Sequence, residues 1–388
     1  MENGSRSSCS LIKQTMVVFP LNRRSGWRFK ESQTVRVLCS ISWIGHTIQK
    51  MLNAWIWNRW HLIGMTRTVL VAGASGYIGA NLCRQLTEQG TSVIGWGRSA
   101  IDFIDPISTN TFSYKRGDVT EHTVLDKMAG SSPDAVVYCV SLDQAESERE
   151  IEKALEVNVT ALWKLVDLLS RTDHPVRFIY LSTMHVYGQL KGNISETRRP
   201  QPQNRYGLTH LMAEEVLKHY GRRSKLDPLI IRLSNSYGPP VGESPSCWSL
   251  VLNDLCKQAI EFGEIHLLSD GTPQRDFIYI DDAVMAISKL LKFSGHRESE
   301  IFNIGGGRTY SILELALEVS RINRDRIGRE VPVILKDGSV LTTADKSIRQ
   351  EMDFTYDITA AIESGITPQI NFEEGINRLF DYLGESLQ

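Results

Sequence analysis

TVLVAGASGYIG, residues 68–79, joins an apolar run of Val and Leu to glycines at 73, 76 and 79. The run lacks the polar alternation of a half-exposed strand, so it reads as a strand buried on both faces. Glycines directly after such a strand, at the opening of a helix, let the backbone turn tightly and approach a pyrophosphate, whose charge the helix N-terminus favours. A glycine-rich turn on its own carries little information. Here the strand before it and the helix after it supply the context of a dinucleotide site. The candidate cradle is Gly73, Ser75, Gly76, Tyr77, Ile78 and Gly79.

Four further apolar runs follow: TSVIGWG (91–97), DAVVYCV (134–140), RFIYLS (177–182) and PLIIRLS (228–234). Between them lie helical patterns such as residues 151–171, where Leu155, Val159, Leu162, Val166 and Leu169 keep the 3.6-residue period. Alternation of this kind predicts an α/β fold, a doubly wound parallel sheet of the Rossmann type, over residues 65–235. After Ser236 the rhythm loosens through the Pro/Gly/Ser-rich SYGPPVGESPSCW. Residues 236–388 are expected to form a smaller C-terminal substrate lobe, with IFNIGGG (301–307) returning as a strand to the main sheet. SILE (311–314) reads as a capping box.

Composition excludes several classes. The chain is 41% hydrophobic and 23% charged, as soluble domains are. It holds no uninterrupted apolar run of about 18 residues, so no membrane span is expected. Residues 1–64 carry nine Lys/Arg against two acids, which leaves 34 basic and 43 acidic residues in the remainder. That acidic body argues against a nucleic-acid partner. The six cysteines show neither metal-ligand spacing nor a disulfide framework, so no metal is expected and a reducing cytoplasm is the simplest location.

Residues 1–64 also hold five of the eight tryptophans and show no sustained period. They are an atypical extension, read as non-essential because Met65 resembles a natural start running into the first strand. A targeting segment and an interaction element are the alternatives.

At the end of the second run the sequence reads GWGRS. Gly97 stands where an acid would bond the ribose 2′-hydroxyl of NAD, and Arg98 and Ser99 follow. Loss of the carboxylate removes repulsion toward a 2′-phosphate and the guanidinium can grip one, so NADP(H) is favoured over NAD(H). In RGDVT, Asp118 and Val119 follow a third strand. Asp118 can accept from the adenine amino group or cap a helix, and the two are not exclusive.

STMHVYG (182–188) follows the strand RFIYL. NRYGLTH (204–210) then places Tyr206 and His210 four residues apart on one helix face. With GASGYIG, IRLSNSYGPP, GTPQRDFIYIDD, IFNIGGG and ITPQINFEEGI in the same order, the chain from Met65 to about Leu383 resembles the extended short-chain dehydrogenase/reductase family, in its nucleotide-sugar epimerase, dehydratase and reductase group. The resemblance implies a nucleotide-sugar substrate and the following roles. Thr183 would bond the reacting sugar oxygen, Tyr206 would be the acid/base, and Asn235 and Arg275 would hold the sugar and diphosphate. A homodimer is expected.

Three positions depart from the family's patterns. His210 replaces a lysine that bonds the nicotinamide ribose and lowers the tyrosine pKa; histidine can still offer a ribose bond but is mostly uncharged near neutral pH. Met184 and His185 replace the Asp-Glu pair of dehydratases, and methionine has no proton to give, so dehydration is disfavoured. His185 can contact substrate, assist proton transfer or simply pack. Weak activation of Tyr206 handicaps oxidation more than reduction. The leading expectation is therefore an NADPH-dependent reductase of a nucleotide-linked 4-keto sugar. The second is a nucleotide-sugar 4-epimerase, and the third, from another class, a dinucleotide-binding sensor or scaffold. On the helix, Leu208, Met212 and Val216 are expected to pack away from the Tyr206/His210 face.

Overall fold

The computed structural model describes residues 68–101, 111–242, 245–293, 301–343 and 352–386; the readings made for residues 1–64 lie outside them. Seven strands build the main sheet: β1 Thr68–Ala72, β2 Ser92–Gly97, β3 Phe112–Arg116, β4 Ala135–Tyr138, β5 Val176–Thr183, β6 Leu226–Leu233 and β7 Ile301–Ile304. Their order is β7-β6-β5-β4-β1-β2-β3 and every pairing is parallel. The order reverses beside β1, which opens a crevice at the carboxyl ends of β1 and β4. All residues of β4, β5 and β7 are buried, as continuous apolar runs require.

Successive residues of β1 serve opposite faces. Val69 and Val71 join a core with Leu82 of helix α1 (Tyr77–Glu88) and Ile287 of the Ile280–Leu291 helix. Leu70 and Ala72 join a core with Leu162 and Leu165 of helix α2 (Ala161–Ser170) and Leu217 of helix α3 (Arg205–Gly221). The sheet thus carries a helical layer on each side, and the period of two in the strand is what separates the layers.

The stretch 151–171 is not one helix. A π-type turn at Glu156–Thr160 separates Ile151–Leu155 from α2. Its cause is Asn158, 1% exposed, whose Oδ1 accepts from Leu142 N at 2.8 Å while Nδ2 donates to Thr209 Oγ1 at 3.0 Å. The wide turn aims this amide inward, as such turns do near functional sites. It also shifts the helical phase, so Leu155, expected in the buried stripe, is 37% exposed while Val157 is buried.

Beyond β6, Gln274–Tyr279 pairs in parallel with Asn235–Tyr237 and antiparallel with Thr309–Ser311. The capping box is present: Ser311 Oγ accepts from Glu314 N at 3.1 Å and the Glu314 carboxylate accepts from Ser311 N at 2.9 Å. Asp282 accepts from Gln369 N and Ile370 N, both at 2.9 Å, which ties the ITPQI stretch to the IYIDD helix. No described helix is long and apolar enough to cross a membrane, and the described residues contain no group of three or more potential metal ligands.

Candidate active site

Gly73, at φ +88°, turns the chain out of β1, and Gly76 N donates to Gly73 O at 2.9 Å before α1 begins. A Cβ on Gly79 would stand 2.1 Å from Gly73 O, so only glycine lets the helix approach the turn this closely. The first turn of α1 carries no acidic side chain, which leaves its N–H groups available to an anion. A cleft of about 670 Å³ opens above it, lined by Gly73, Ser75, Gly76, Arg98, Ser99, Asp118, Val119 and Ser141 among others. These residues fit a dinucleotide. Two members of the expected cradle turn their side chains elsewhere. Tyr77 donates its hydroxyl to Gly238 O at 2.9 Å and Ile78 packs on the core, so each offers a phosphate only its main chain.

At the far end of the cleft Gly97 pairs in register with Arg116. A Cβ at residue 97 would lie 2.3 Å from Ser75 Oγ and 2.7 Å from the Tyr114 hydroxyl. Any side chain there would have to displace Ser75 Oγ and the Tyr114 hydroxyl. Arg116 Nε donates to the Arg98 main-chain oxygen at 2.7 Å, and both arginines are exposed. Asp118 Oδ1 accepts from Thr120 N at 2.9 Å and Thr120 Oγ1 at 2.8 Å. The following helix is capped at Glu121, so the capping role considered for Asp118 is corrected to a local turn at the cleft wall.

The reacting centre is built where β5 ends. Thr183 Oγ1 accepts from His185 N at 3.2 Å and starts a 3₁₀ turn, Met184–Tyr187. Across from it Asn204 caps α3, its Oδ1 accepting from Gly207 N at 2.7 Å. That bond orients the amide, so Nδ2 faces His185 Nδ1 at 3.3 Å. Burial raises the Tyr206 pKa above the usual tyrosine value, and the neighbouring Ser141 and Thr183 side chains partly offset the rise. Because Ser141 lines the cofactor cleft and Thr183 leads into the Met184–Tyr187 turn, Tyr206 sits between that cleft and a second cavity.

The second cavity, about 510 Å³, is lined by Met184, His185, Asn204, Gln274 and Arg275 among others. Arg275 is half-buried, and burial lowers its pKa. Asn235 lies beside this cavity rather than in its wall, donating to Asp276 O at 3.0 Å and touching Met184 Sδ at 3.5 Å.

Both histidines meet Tyr206 edge to face, His185 at 5.7 Å and His210 at 4.5 Å between ring centroids. Burial and then the Arg275 charge push the His185 pKa down to about 4; burial and then His185 push that of His210 down to about 3. Neither imidazole carries charge at neutral pH. His210 is 2% exposed, with Nδ1 at 2.7 Å from the Tyr180 hydroxyl and Nε2 enclosed and without a partner.

On α3, Val216 is buried as expected, whereas Leu208 and Met212 are 48% and 40% exposed. Sequence reasoning did not single out Ser141, Asn204, Arg116, Tyr114 or Tyr180. Ser141 and Arg116 each stand at or just past a strand's carboxyl end, a position that was available as a signal.

Residues 69–305 match the model of the NAD dependent epimerase/dehydratase family. Among curated relatives, the uncharacterized UDP-glucose epimerase YtcB of Bacillus subtilis is 27% identical over 323 residues, covering 78% of this chain and 97% of that protein. The UDP-glucose 4-epimerase of Mycoplasma genitalium is 25% identical over 340 residues, covering 81% and 98%. Among solved structures, MoeE5 in complex with UDP-glucose and NAD superposes with a TM-score of 0.67 at 25% identity, covering 83% of this chain and all of that one.

Proposed function

This chain belongs to the NAD dependent epimerase/dehydratase family, and we propose that it is a nucleotide-sugar 4-epimerase. The observation that carries the reading is the position of Tyr206, beside Ser141 of the dinucleotide cleft and Thr183 next to the cavity of Arg275. The names of the two curated relatives support epimerisation over the net reduction expected first. A bound nicotinamide dinucleotide supplies reversible hydride acceptance. Thr183 orients the C4 oxygen of the sugar, and Tyr206 takes the C4 hydroxyl proton as a 4-keto sugar forms and returns it when the alcohol re-forms on either face. Arg275 balances the diphosphate. Met184, buried and without a proton, leaves the dehydration route unserved.

Net reduction of a 4-keto sugar is the second reading, and the uncharged His185 and His210 favour it. With no cation beside it and a raised pKa, Tyr206 is a ready acid and a reluctant base at pH 7. In either reading, oxidation of the C4 alcohol accelerates as pH rises toward the tyrosine pKa, while reduction of the ketone does not; initial rates in both directions across pH check this.

The cofactor is proposed to be NADP(H), although the solved relative is described with NAD. The support is Gly97, which leaves no acid where one would bond the ribose 2′-hydroxyl, followed by Arg98 and paired in register with Arg116. NADPH is expected to bind more tightly than NADH. Arg98→Ala and Arg116→Ala should each narrow the gap, together by about ten- to a hundredfold, the scale of charge-assisted phosphate contacts. Equal affinities in the parent protein contradict the assignment.

A homodimer is proposed on the apolar side chains left open on neighbouring helices. Trp163 is 51% exposed, and its Nε1 donates to the Tyr220 hydroxyl at 3.3 Å, linking α2 to α3, where Leu208 and Met212 are also open. Leu208→Glu with Met212→Glu is expected to convert the dimer to a folded monomer in light scattering; a parent protein already monomeric overturns the proposal.

A further inference from the structure

We propose that Tyr180 is a positioning residue that fixes His210 in its Nε2–H tautomer, so that the ring meeting Tyr206 has a set dipole and no charge. The argument starts from proton counting. A phenol O–H must donate to an acceptor when buried, and the one hydrogen-bond partner of the Tyr180 hydroxyl among the described residues is His210 Nδ1, at 2.7 Å. A nitrogen that accepts carries no proton, so in a neutral imidazole the proton is on Nε2. Burial, followed by the charges of neighbouring groups, holds the Tyr180 hydroxyl well above the ordinary tyrosine pKa, which keeps it the donor.

The surroundings keep this arrangement uncharged. The titratable groups acting on the pair are Tyr138, His185, Tyr206 and Glu214. Of these, only Glu214 has ion-pair partners, and its carboxylate is taken up by Arg232, Lys218 and Ser182. His210 Nε2–H is left enclosed and unpartnered, a cost that a purely structural histidine would have little reason to keep. Asn204 repeats the device at His185: its amide, oriented by capping α3, donates to Nδ1 at 3.3 Å and so places that proton on Nε2 as well. A lysine at residue 210 would bring a charge to Tyr206; a locked imidazole brings only a dipole, whose direction Tyr180 decides.

The role given to Tyr206 rests on the epimerase/reductase reading, but the tautomer does not, so the two fail separately. ¹⁵N-labelled full-length protein, free and loaded with NADPH, is examined by long-range ¹H–¹⁵N correlation. The expected spectrum shows His210 as the neutral Nε2–H form across about pH 5 to 8, the interval in which a free histidine would titrate. Tyr180→Phe, which removes one oxygen and keeps the ring, should release the other tautomer. In the same variant the pH limb of C4 oxidation should move by about half to one unit, the scale of one hydrogen bond. That movement should vanish when Tyr180→Phe is made in a His210→Ala background. A parent spectrum showing Nδ1–H or a charged ring, a tautomer unchanged by Tyr180→Phe, or an effect that persists without His210 each overturns the inference. The parent spectrum alone decides the matter if the variant does not fold.

Discussion

Tyr206→Phe is expected to lower kcat by about 10²- to 10⁴-fold while cofactor affinity stays within error of the parent, the range lost when a positioned general acid/base is removed. Phenylalanine keeps the ring that His185 and His210 meet edge to face, so α3 and the cavity wall are preserved. What disappears is the hydroxyl that neighbours both Ser141 and Thr183. Initial rates on nucleotide-hexose substrates, paired with titration of NADPH fluorescence, separate the two quantities. A variant with parental kcat would transfer the proton role elsewhere, with His185, which lines the second cavity, the group to examine; a variant with intact chemistry but lost cofactor would make Tyr206 a binding residue.

Glu214→Ala is expected to cost about 3 to 5 kcal/mol of stability, the price of leaving one partner of a buried ion pair alone. Glu214 and Arg232 are 0% and 1% exposed. Glu214 Oε1 accepts from Ser182 Oγ at 2.6 Å and Arg232 Nε at 3.0 Å, and Oε2 accepts from Arg232 Nη2 at 2.7 Å. Nη1 already lacks a partner, and the guanidinium lies 4.7 Å over the Tyr187 ring, so nothing nearby can take up its charge. The pair joins α3 to β5 and β6, and Ser182 precedes Thr183 in the chain; the same contacts that stabilise the fold hold Tyr206 against Thr183. Urea denaturation followed by circular dichroism measures the loss. Adding Arg232→Met should recover part of it, since the stranded charge is then gone, and a double variant less stable than Glu214→Ala would refute that cause.

The inner strands of the parallel sheet were legible because they are short, largely buried runs rich in Val, Ile and Leu, a pattern that depends on local sequence alone, whereas the edge strand β3, FSYKR, lacks it. Gly73, Gly76 and Gly79 were legible for the same reason: strand, turn and helix lie within a dozen residues. The details of the reacting centre were not, because long-range partners decide them. Asn158 breaks a helix whose apolar spacing looked continuous, since its amide is claimed by Leu142 and Thr209. His210 is held back by Tyr180, thirty residues earlier, and no spacing rule reveals a contact between a strand residue and a helix residue. Leu208 and Met212 look like a packing stripe, but they are 48% and 40% exposed among the described residues. Arg116 became visible only through its register with Gly97 on the adjacent strand.

The measurement that tests the central claim most directly is ¹H NMR of a nucleotide hexose, UDP-glucose first, incubated with the purified full-length protein and a catalytic amount of oxidised cofactor. The account predicts that the C4 epimer accumulates to a constant ratio from either side, with no net change in nicotinamide absorbance and with deuterium placed at C4 retained there in the product. Absence of the epimer, together with stoichiometric loss of NADPH when a nucleotide 4-keto sugar is supplied instead, would contradict the epimerase reading and leave net reduction in its place.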